Sequence, residues 1–131
     1  MHPKPAAARQ DRGEQLRRAR ATAQLLRAVF PSVAQLRIDL RFDDAGASPP
    51  AEQAHLLYPP APAFFTYRCP YADCDGEFAL ESAVRRAVAQ RDHRETGSLQ
   101  CAGMRPSEPG VKSPCGLRLA YAITALVGKS S

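Results

Sequence analysis

Four cysteines are the residues of this chain best equipped for chemistry, and they fall into two pairs. Cys69 and Cys74 enclose four residues, a C-x4-C spacing, whereas Cys101 and Cys115 enclose thirteen. Zinc held by four thiolates sits about 2.3 Å from each sulfur in a tetrahedron, and one backbone bend can present two of the sulfurs. The neighbouring residues suit such bends: Pro70 follows Cys69, Gly76 stands two positions after Cys74, and Pro114 and Gly116 flank Cys115. Proline helps set the bend and glycine lets the chain leave it on an unusual backbone angle. Disulfides, an iron site and free buried thiols are the other readings of the same four residues. The N-terminal sequence lacks the apolar run of a secretory signal, which disfavours disulfides. Neither pair has the tight C-x2-C spacing of rubredoxin-type iron sites. A closed set of four thiolates has no open coordination position, so it builds structure and does not activate water.

Other chemistry is sparse. His93 and Glu95 form an H-x-E, with Pro114-Cys115 downstream, which echoes the zinc deaminase signature H-x-E…P-C-x-x-C. That motif requires a second cysteine at position 118, where this chain has Arg118, and residues 117–123 alternate like a strand where the motif would start a helix. His55 lies in an apolar patch and reads as a packed histidine; His2 belongs to the N-terminal arm. Asp73, Asp75 and Glu77 cluster around Cys74 and read as solvated turn residues that can also set the local field. There is no Gly-rich phosphate loop, and no acid, base and nucleophile converge, so the expectation is a protein that is not an enzyme.

The elements that would hold the cysteines follow from periodicity. Leu36, Ile38, Leu40 and Phe42 alternate with Arg37, Asp39 and Arg41, the pattern of a half-buried antiparallel strand. Residues 43–50 read as a loop, His55 to Tyr58 as a short strand cut off by prolines, and Phe64 to Cys69 as a strand running into the first cysteine. Residues 80–91 place Leu80, Ala83, Val84, Ala87 and Val88 on one helical face. Ser98 to Cys101 and Leu117 to Thr124 read as further strands around a Pro- and Gly-rich loop at 104–114. Gln15 to Phe30 reads as an amphipathic helix stopped by Pro31, with Leu16, Ala19, Ala23, Leu26 and Phe30 on one stripe and Arg17, Arg20, Gln24 and Arg27 beside it. The predicted organisation is a basic arm over 1–14 without fixed structure and one α+β domain over 15–131. That domain has a small antiparallel sheet of about four strands, one N-terminal helix and one helix between the cysteine pairs. Its zinc-binding part covers 64–126.

Charge sharpens the functional reading. The chain has 131 residues and a net charge of +5. Residues 1–30 hold seven basic side chains against Asp11 and Glu14, which accounts for the whole excess. Apolar residues make up 44% and charged residues 24%, which excludes a fully disordered chain and a fibre. No window reaches eighteen consecutive apolar residues, so no membrane-spanning helix is predicted and the cytoplasm is the expected compartment.

The stretch Tyr67 to Phe78, with Leu99 to Tyr121 as a looser second half, resembles the zinc-ribbon superfamily. In that superfamily two cysteine-bearing turns at the ends of antiparallel strands clamp one zinc. The resemblance implies Cys69, Cys74, Cys101 and Cys115 as the metal ligands and a structural zinc as the cofactor, with an extruded loop inside the wide second pair. It also implies a macromolecule-recognition role, since zinc ribbons commonly serve transcription and translation machinery. Two recognition modes follow from the N-terminal helix. Arg17, Arg18, Arg20 and Arg27 suit nucleic acid or a ribonucleoprotein, with Phe64, Phe65, Tyr67 or Tyr71 available to stack on bases. Alternatively, Leu16, Leu26 and Phe30 suit an apolar contact with a protein partner, in a protein–protein adaptor with a purely structural zinc.

Overall fold

The computed structural model of the chain describes residues 5–43, 51–71 and 73–128, with side chains from Arg12 onward. Residues 1–4, with His2, and the loop expected beyond Asp43 lie outside them. The elements run α1 (Pro5–Thr22), α2 (Leu26–Val29), β1 (Val33–Asp43), β2 (Ala51–Leu57), β3 (Thr66–Arg68), β4 (Glu77–Ala79), α3 (Glu81–Ala89), β5 (Arg94–Gln100), β6 (Met104–Glu108), β7 (Val111–Pro114) and β8 (Arg118–Val127). This is an α+β fold: one antiparallel four-stranded sheet in the order β2-β1-β8-β5, two small hairpins β3-β4 and β6-β7, and three helices.

Alternating hydrophobicity sets the register of the main sheet. Leu36, Ile38, Leu40 and Phe42 of β1 are buried, and so are Leu119, Tyr121, Ile123 and Ala125 of β8. Ile38 sits opposite Ile123, Leu40 opposite Tyr121 and Phe42 opposite Leu119. A slip of one residue would turn both rows to water, so the pairing is strongly specified. Against the buried face lie Ala83, Val84 and Ala87 of α3 and Phe65 and Phe78 of the β3-β4 hairpin. The Phe42 and Phe78 rings are 5.8 Å apart. Glu81, in the first turn of α3, accepts the Phe65 N–H at 3.2 Å and the Thr66 hydroxyl at 2.7 Å, which ties that helix to β3. The other sheet face presents Arg37, Arg41 and Arg118 to solvent.

Three elements differ from the pattern-based expectation. The N-terminal helix starts at Pro5 and ends at Thr22 instead of spanning Gln15 to Phe30, so residues 5–14 of the expected arm are helical. The chain leaves the helix because residues 24–27 bond to the Pro-rich segment 59–63. Leu26 N–H reaches Ala61 O at 2.7 Å, Arg27 N–H reaches Pro59 O at 3.1 Å, and Ala63 N–H reaches Gln24 O at 2.8 Å. These partners replace helical ones, and α2 is the single turn that follows. The segment expected as a loop at 104–114 is instead the β6-β7 hairpin, whose turn is made by Gly110 at φ 76°. The strand expected at 98–101 begins earlier, at Arg94, just after His93 turns the corner from α3 at φ 53°.

Leu26 is fully buried where this break meets the core. Leu26→Ala should therefore lower stability by about 2–5 kcal/mol, seen as a lower urea midpoint at unchanged slope. Leu56→Ala, at a side chain 47% exposed, should stay within about 0.5 kcal/mol of the parent.

Candidate metal centre

The two cysteine pairs come from two strand pairs that end at the same place. Cys69 leaves β3 and Cys74 precedes β4, and the hairpin closes between them where Cys69 N–H donates to Gly76 O at 3.0 Å. Cys101 leaves β5 and Cys115 precedes β8. There Cys101 N–H donates to Leu117 O at 2.8 Å, continuing the β5-β8 ladder, and Cys115 N–H donates to Gly103 O at 2.9 Å. The thirteen residues between Cys101 and Cys115 thus leave and rejoin the site as the β6-β7 hairpin, so a wide sequence spacing becomes a short spatial one.

All four sulfurs lie within 4.8 Å of one another, and among the described residues they form the one cluster of possible metal ligands. Cys69 Sγ and Cys115 Sγ are 3.8 Å apart; Cys74 Sγ and Cys101 Sγ are 3.6 Å apart. A tetrahedral ion with metal–sulfur bonds of about 2.3 Å requires sulfur–sulfur edges of about 3.8 Å, so the donor set fits a four-thiolate metal site. Cys69, Cys74 and Cys101 are buried and Cys115 is half-buried. Gly76 N–H points at Cys74 Sγ at 3.3 Å and Gly103 N–H at Cys101 Sγ at 3.4 Å. The Tyr71 amide bonds to Cys69 in the same way. Each is a donor two residues beyond its cysteine, and such donors favour a thiolate over a thiol.

Burial acts in the opposite direction and dominates. It pushes the Cys69 thiol far up, and it raises Cys101 from its ordinary 9.0 to about 11, with the Gly103 amide pulling back and the neighbouring cysteines adding to the rise. Burial and the neighbouring sulfurs thus favour the thiol at Cys69 and Cys101 when no cation is present. A bound metal reverses the balance and releases protons as it binds.

The two bends touch through glycine. A Cβ on Gly103 would lie 2.4 Å from Gly76 N and 2.5 Å from its Cα, and a Cβ on Gly76 would lie 2.3 Å from Cys101 Sγ. Neither position tolerates a side chain while the sulfurs keep their places. The acidic residues around Cys74 hold neighbouring segments. Asp75 accepts the Met104 N–H at 2.8 Å, Asp73 pairs with Arg105 at 2.8 Å, and Glu77 pairs with Arg12 of α1. Arg105 also lies over the Tyr71 ring at 3.8 Å.

The remaining candidate residues fall elsewhere. Arg17, Arg18, Arg20 and Arg27 are all exposed, away from the sulfur cluster. Leu16 and Leu26 are buried within the chain itself and Phe30 packs against its core. Of the three residues offered to a partner in the alternative reading, Leu16 and Leu26 are thus inaccessible, a correction that for Leu26 follows from the break after Thr22. Phe65 and Tyr67 are buried, whereas Phe64 and Tyr71 are half-buried. His55 stacks on Tyr67 at 4.5 Å between ring centres. His93 bonds to Val88 O at 3.1 Å and accepts the Ala125 amide through its own carbonyl, at the end of β8 opposite Cys115. The deaminase-like arrangement is thus not assembled. Glu95 pairs with Arg86 of α3 and accepts from Gln90. Gly103 is the site residue that pattern reading missed, although Cys101-Ala102-Gly103 repeats the C-x-G of Cys74-Asp75-Gly76. No protein-family model, no curated protein and no solved structure matches the chain. Among the described residues no helix is long and apolar enough to cross a membrane.

Two outcomes follow. Gly103→Ala should weaken metal affinity by about 10- to 100-fold in a competition titration with a chromophoric chelator. Gly110→Ala, where the space is open and only the positive φ resists, should cost about 1–2 kcal/mol and leave affinity unchanged. The two forms of the protein should also respond oppositely to pH. In the metal-free chain Cys69 and Cys101 titrate higher folded than unfolded, so the Cys101 contribution is present below pH 9 and is lost as pH climbs through about 11. The metal-loaded chain should instead lose stability toward acid, as protons compete for the thiolates. Thermal melts of both forms across this range check the crossing.

Proposed function

We propose that this chain is a zinc-ribbon-like domain without enzymatic activity, in which zinc held by Cys69, Cys74, Cys101 and Cys115 organises a surface that binds nucleic acid or a ribonucleoprotein. The observation that carries the zinc assignment is the four-sulfur cluster, with edges of 3.6 and 3.8 Å and amides aimed at its sulfurs. Soft thiolate donors in a tetrahedron select zinc or iron among the common metals, and the C-x4-C spacing favours zinc. Two hairpin-like bends that each supply two thiolates support the likeness to zinc ribbons. With four protein ligands the ion has no place for water or substrate, so its role is structural.

Recognition is assigned to the basic N-terminal region because its charge is accessible while its Leu16 and Leu26 are buried. Among the described residues Arg17, Arg18 and Arg27 have no acidic partner, while Arg12 and Arg105 are spent on internal ion pairs. Guanidinium groups free in solvent along α1 and α2 suit phosphate oxygens. The adaptor alternative loses its contact surface, since Leu16 and Leu26 are internal.

Elemental analysis of the purified chain should return one zinc per molecule, lost with the fold on chelation or on substitution of Cys69 or Cys115; iron, or no metal with an unchanged melt, overturns the assignment. The loaded chain should bind a labelled oligonucleotide by fluorescence anisotropy, with log affinity falling against log salt at a slope of about −2 to −3. No binding at about 50 mM salt overturns the recognition reading.

A further inference from the structure

The main sheet ends in two edge strands, β2 and β5. β2 follows residues that lie outside the described ones, whereas both flanks of β5, the His93 corner and Cys101, are described. β5 pairs with β8 along its whole length, with neither a bulge nor a proline. Cys101 N–H donates to Leu117 O and His93 O accepts the Ala125 N–H, which fixes the alternation of that ladder. Glu95, Gly97 and Leu99 therefore bond toward β8, and the backbone groups of Arg94, Thr96, Ser98 and Gln100 point away from it. The Arg94 N–H is taken by the Asp92 carboxylate at 3.3 Å. The outward N–H and C=O groups of Thr96, Ser98 and Gln100 have no partner among the described residues. Such an edge is a template for another strand unless charge, proline or a bulge blunts it. From Thr96 to Gln100 β5 carries none of these, and the charge of Glu95 is held on α3 by Arg86 and Gln90.

The strand is also complementary to itself. Turned about a two-fold axis at Gly97, it sets Thr96 against Ser98 of the second copy, Arg94 against its Gln100 and Glu95 against its Leu99. No like charges meet in this register, Thr beside Ser is a favourable cross-strand pair, and Leu99, 37% exposed at this edge, gains a neighbour. Glycine meets glycine at the axis, in the closer, non-hydrogen-bonded spacing of an antiparallel ladder. A Cβ on Gly97 would collide with the Tyr121 hydroxyl, so the Tyr121 ring fills the glycine's gap on the buried face while the edge itself stays bare. We propose that two copies of this chain associate by antiparallel pairing of β5 with β5 about Gly97, joining two four-stranded sheets into one. Each Thr96–Ser98 pair then exchanges two backbone hydrogen bonds, and each Gln100 N–H gains the Arg94 carbonyl with Asp92 undisturbed. This association is independent of the nucleic-acid reading.

Sedimentation equilibrium of the purified full chain, under reducing conditions that exclude intermolecular disulfides, should show one chain passing to two between about 1 μM and about 1 mM. Ser98→Pro removes an outward N–H and no bond to β8, a change that edge strands tolerate, and should raise the dissociation constant about tenfold. Thr96→Lys/Ser98→Lys sets like charges opposite each other and should raise it about fivefold or more. Thr96→Glu/Ser98→Lys sets Glu against Lys and should bring association back to the parent level. Metal content and melting temperature, measured where each variant is a single chain, establish that it folds. With rising concentration, amide exchange should slow at Thr96, Ser98 and Gln100 and stay unchanged at Ala54 and Leu56 of β2. A single chain at every concentration overturns the proposal and leaves the edge to a foreign extended peptide. A dimer that ignores Ser98→Pro and the Lys pair, or protects β2 instead, places the contact elsewhere and overturns it too. If the Glu–Lys variant fails to recover, the Gly97 axis is wrong.

Discussion

Four sulfurs separated by as many as 46 positions can share one ion only if two strand pairs end back to back. In this chain that meeting is made by glycine against glycine. Gly76 and Gly103 each follow a cysteine by two residues, each turns its amide to that cysteine's sulfur, and their backbones come closer than any side chain permits. The rest of the architecture serves that contact. The β5-β8 ladder brings Cys101 and Cys115 to its end, the β3-β4 hairpin brings Cys69 and Cys74 to face them, and Phe42 against Phe78 fixes the hairpin on the sheet. A core this small, without a single tryptophan, gains from a metal cross-link between its two halves, because small domains bury too little surface to be generously stable.

Much of this was legible in the amino-acid order where a pattern is local. The alternation from Leu36 to Phe42, the amphipathic face of α3 and the alternation from Leu117 onward each specify their element without help from elsewhere, and the structure has all three. The cysteine cluster was also readable, because thiols in two turn contexts point to a soft metal regardless of how the chain connects them. What escaped depended on distant partners. The helix expected to reach Phe30 stops at Thr22 because residues 59–63 offer better hydrogen bonds than the next helical turn, and nothing within 15–30 announces that. Leu16 and Leu26, offered as an alternative contact for a partner, are buried within the chain, Leu26 because of this break. The β6-β7 hairpin was hidden by Pro106 and Pro114, which the strands place at an irregular register and at an end, where proline is tolerated.

Charge is partitioned as sharply as hydrophobicity. Among the described residues, ion pairs hold elements or neighbouring residues to one another: Arg12 with Glu77, Arg105 with Asp73, Arg86 with Glu95 and Arg37 with Asp39. All are solvent-accessible and each contributes modestly to stability, but three of them bridge separate elements and so fix relative placement. The acids near the metal centre are used up in this way, Asp73 and Asp75 on the β6-β7 hairpin and Glu77 on α1. Asp73 and Asp75 thus stay within the cysteine-bearing half, whereas Glu77 offsets Arg12 and leaves Arg17, Arg18 and Arg27 without an acidic partner among the described residues.

The position of β8 has a consequence for how the chain comes into being. It follows every other described strand in sequence yet lies between β1 and β5 in the sheet. During synthesis from the N-terminus, β1 and β2 can pair as a hairpin, but β5 finds no neighbour until residues 118–127 leave the ribosome. Cys115 emerges only just before them, so the fourth ligand and the central strand arrive together. Between residue 101 and residue 115 the nascent chain holds three thiols beside an open sheet edge. A complete set of four thiols and a closed sheet thus wait for the same segment, so one event covers both the exposed ladder and the reactive sulfurs.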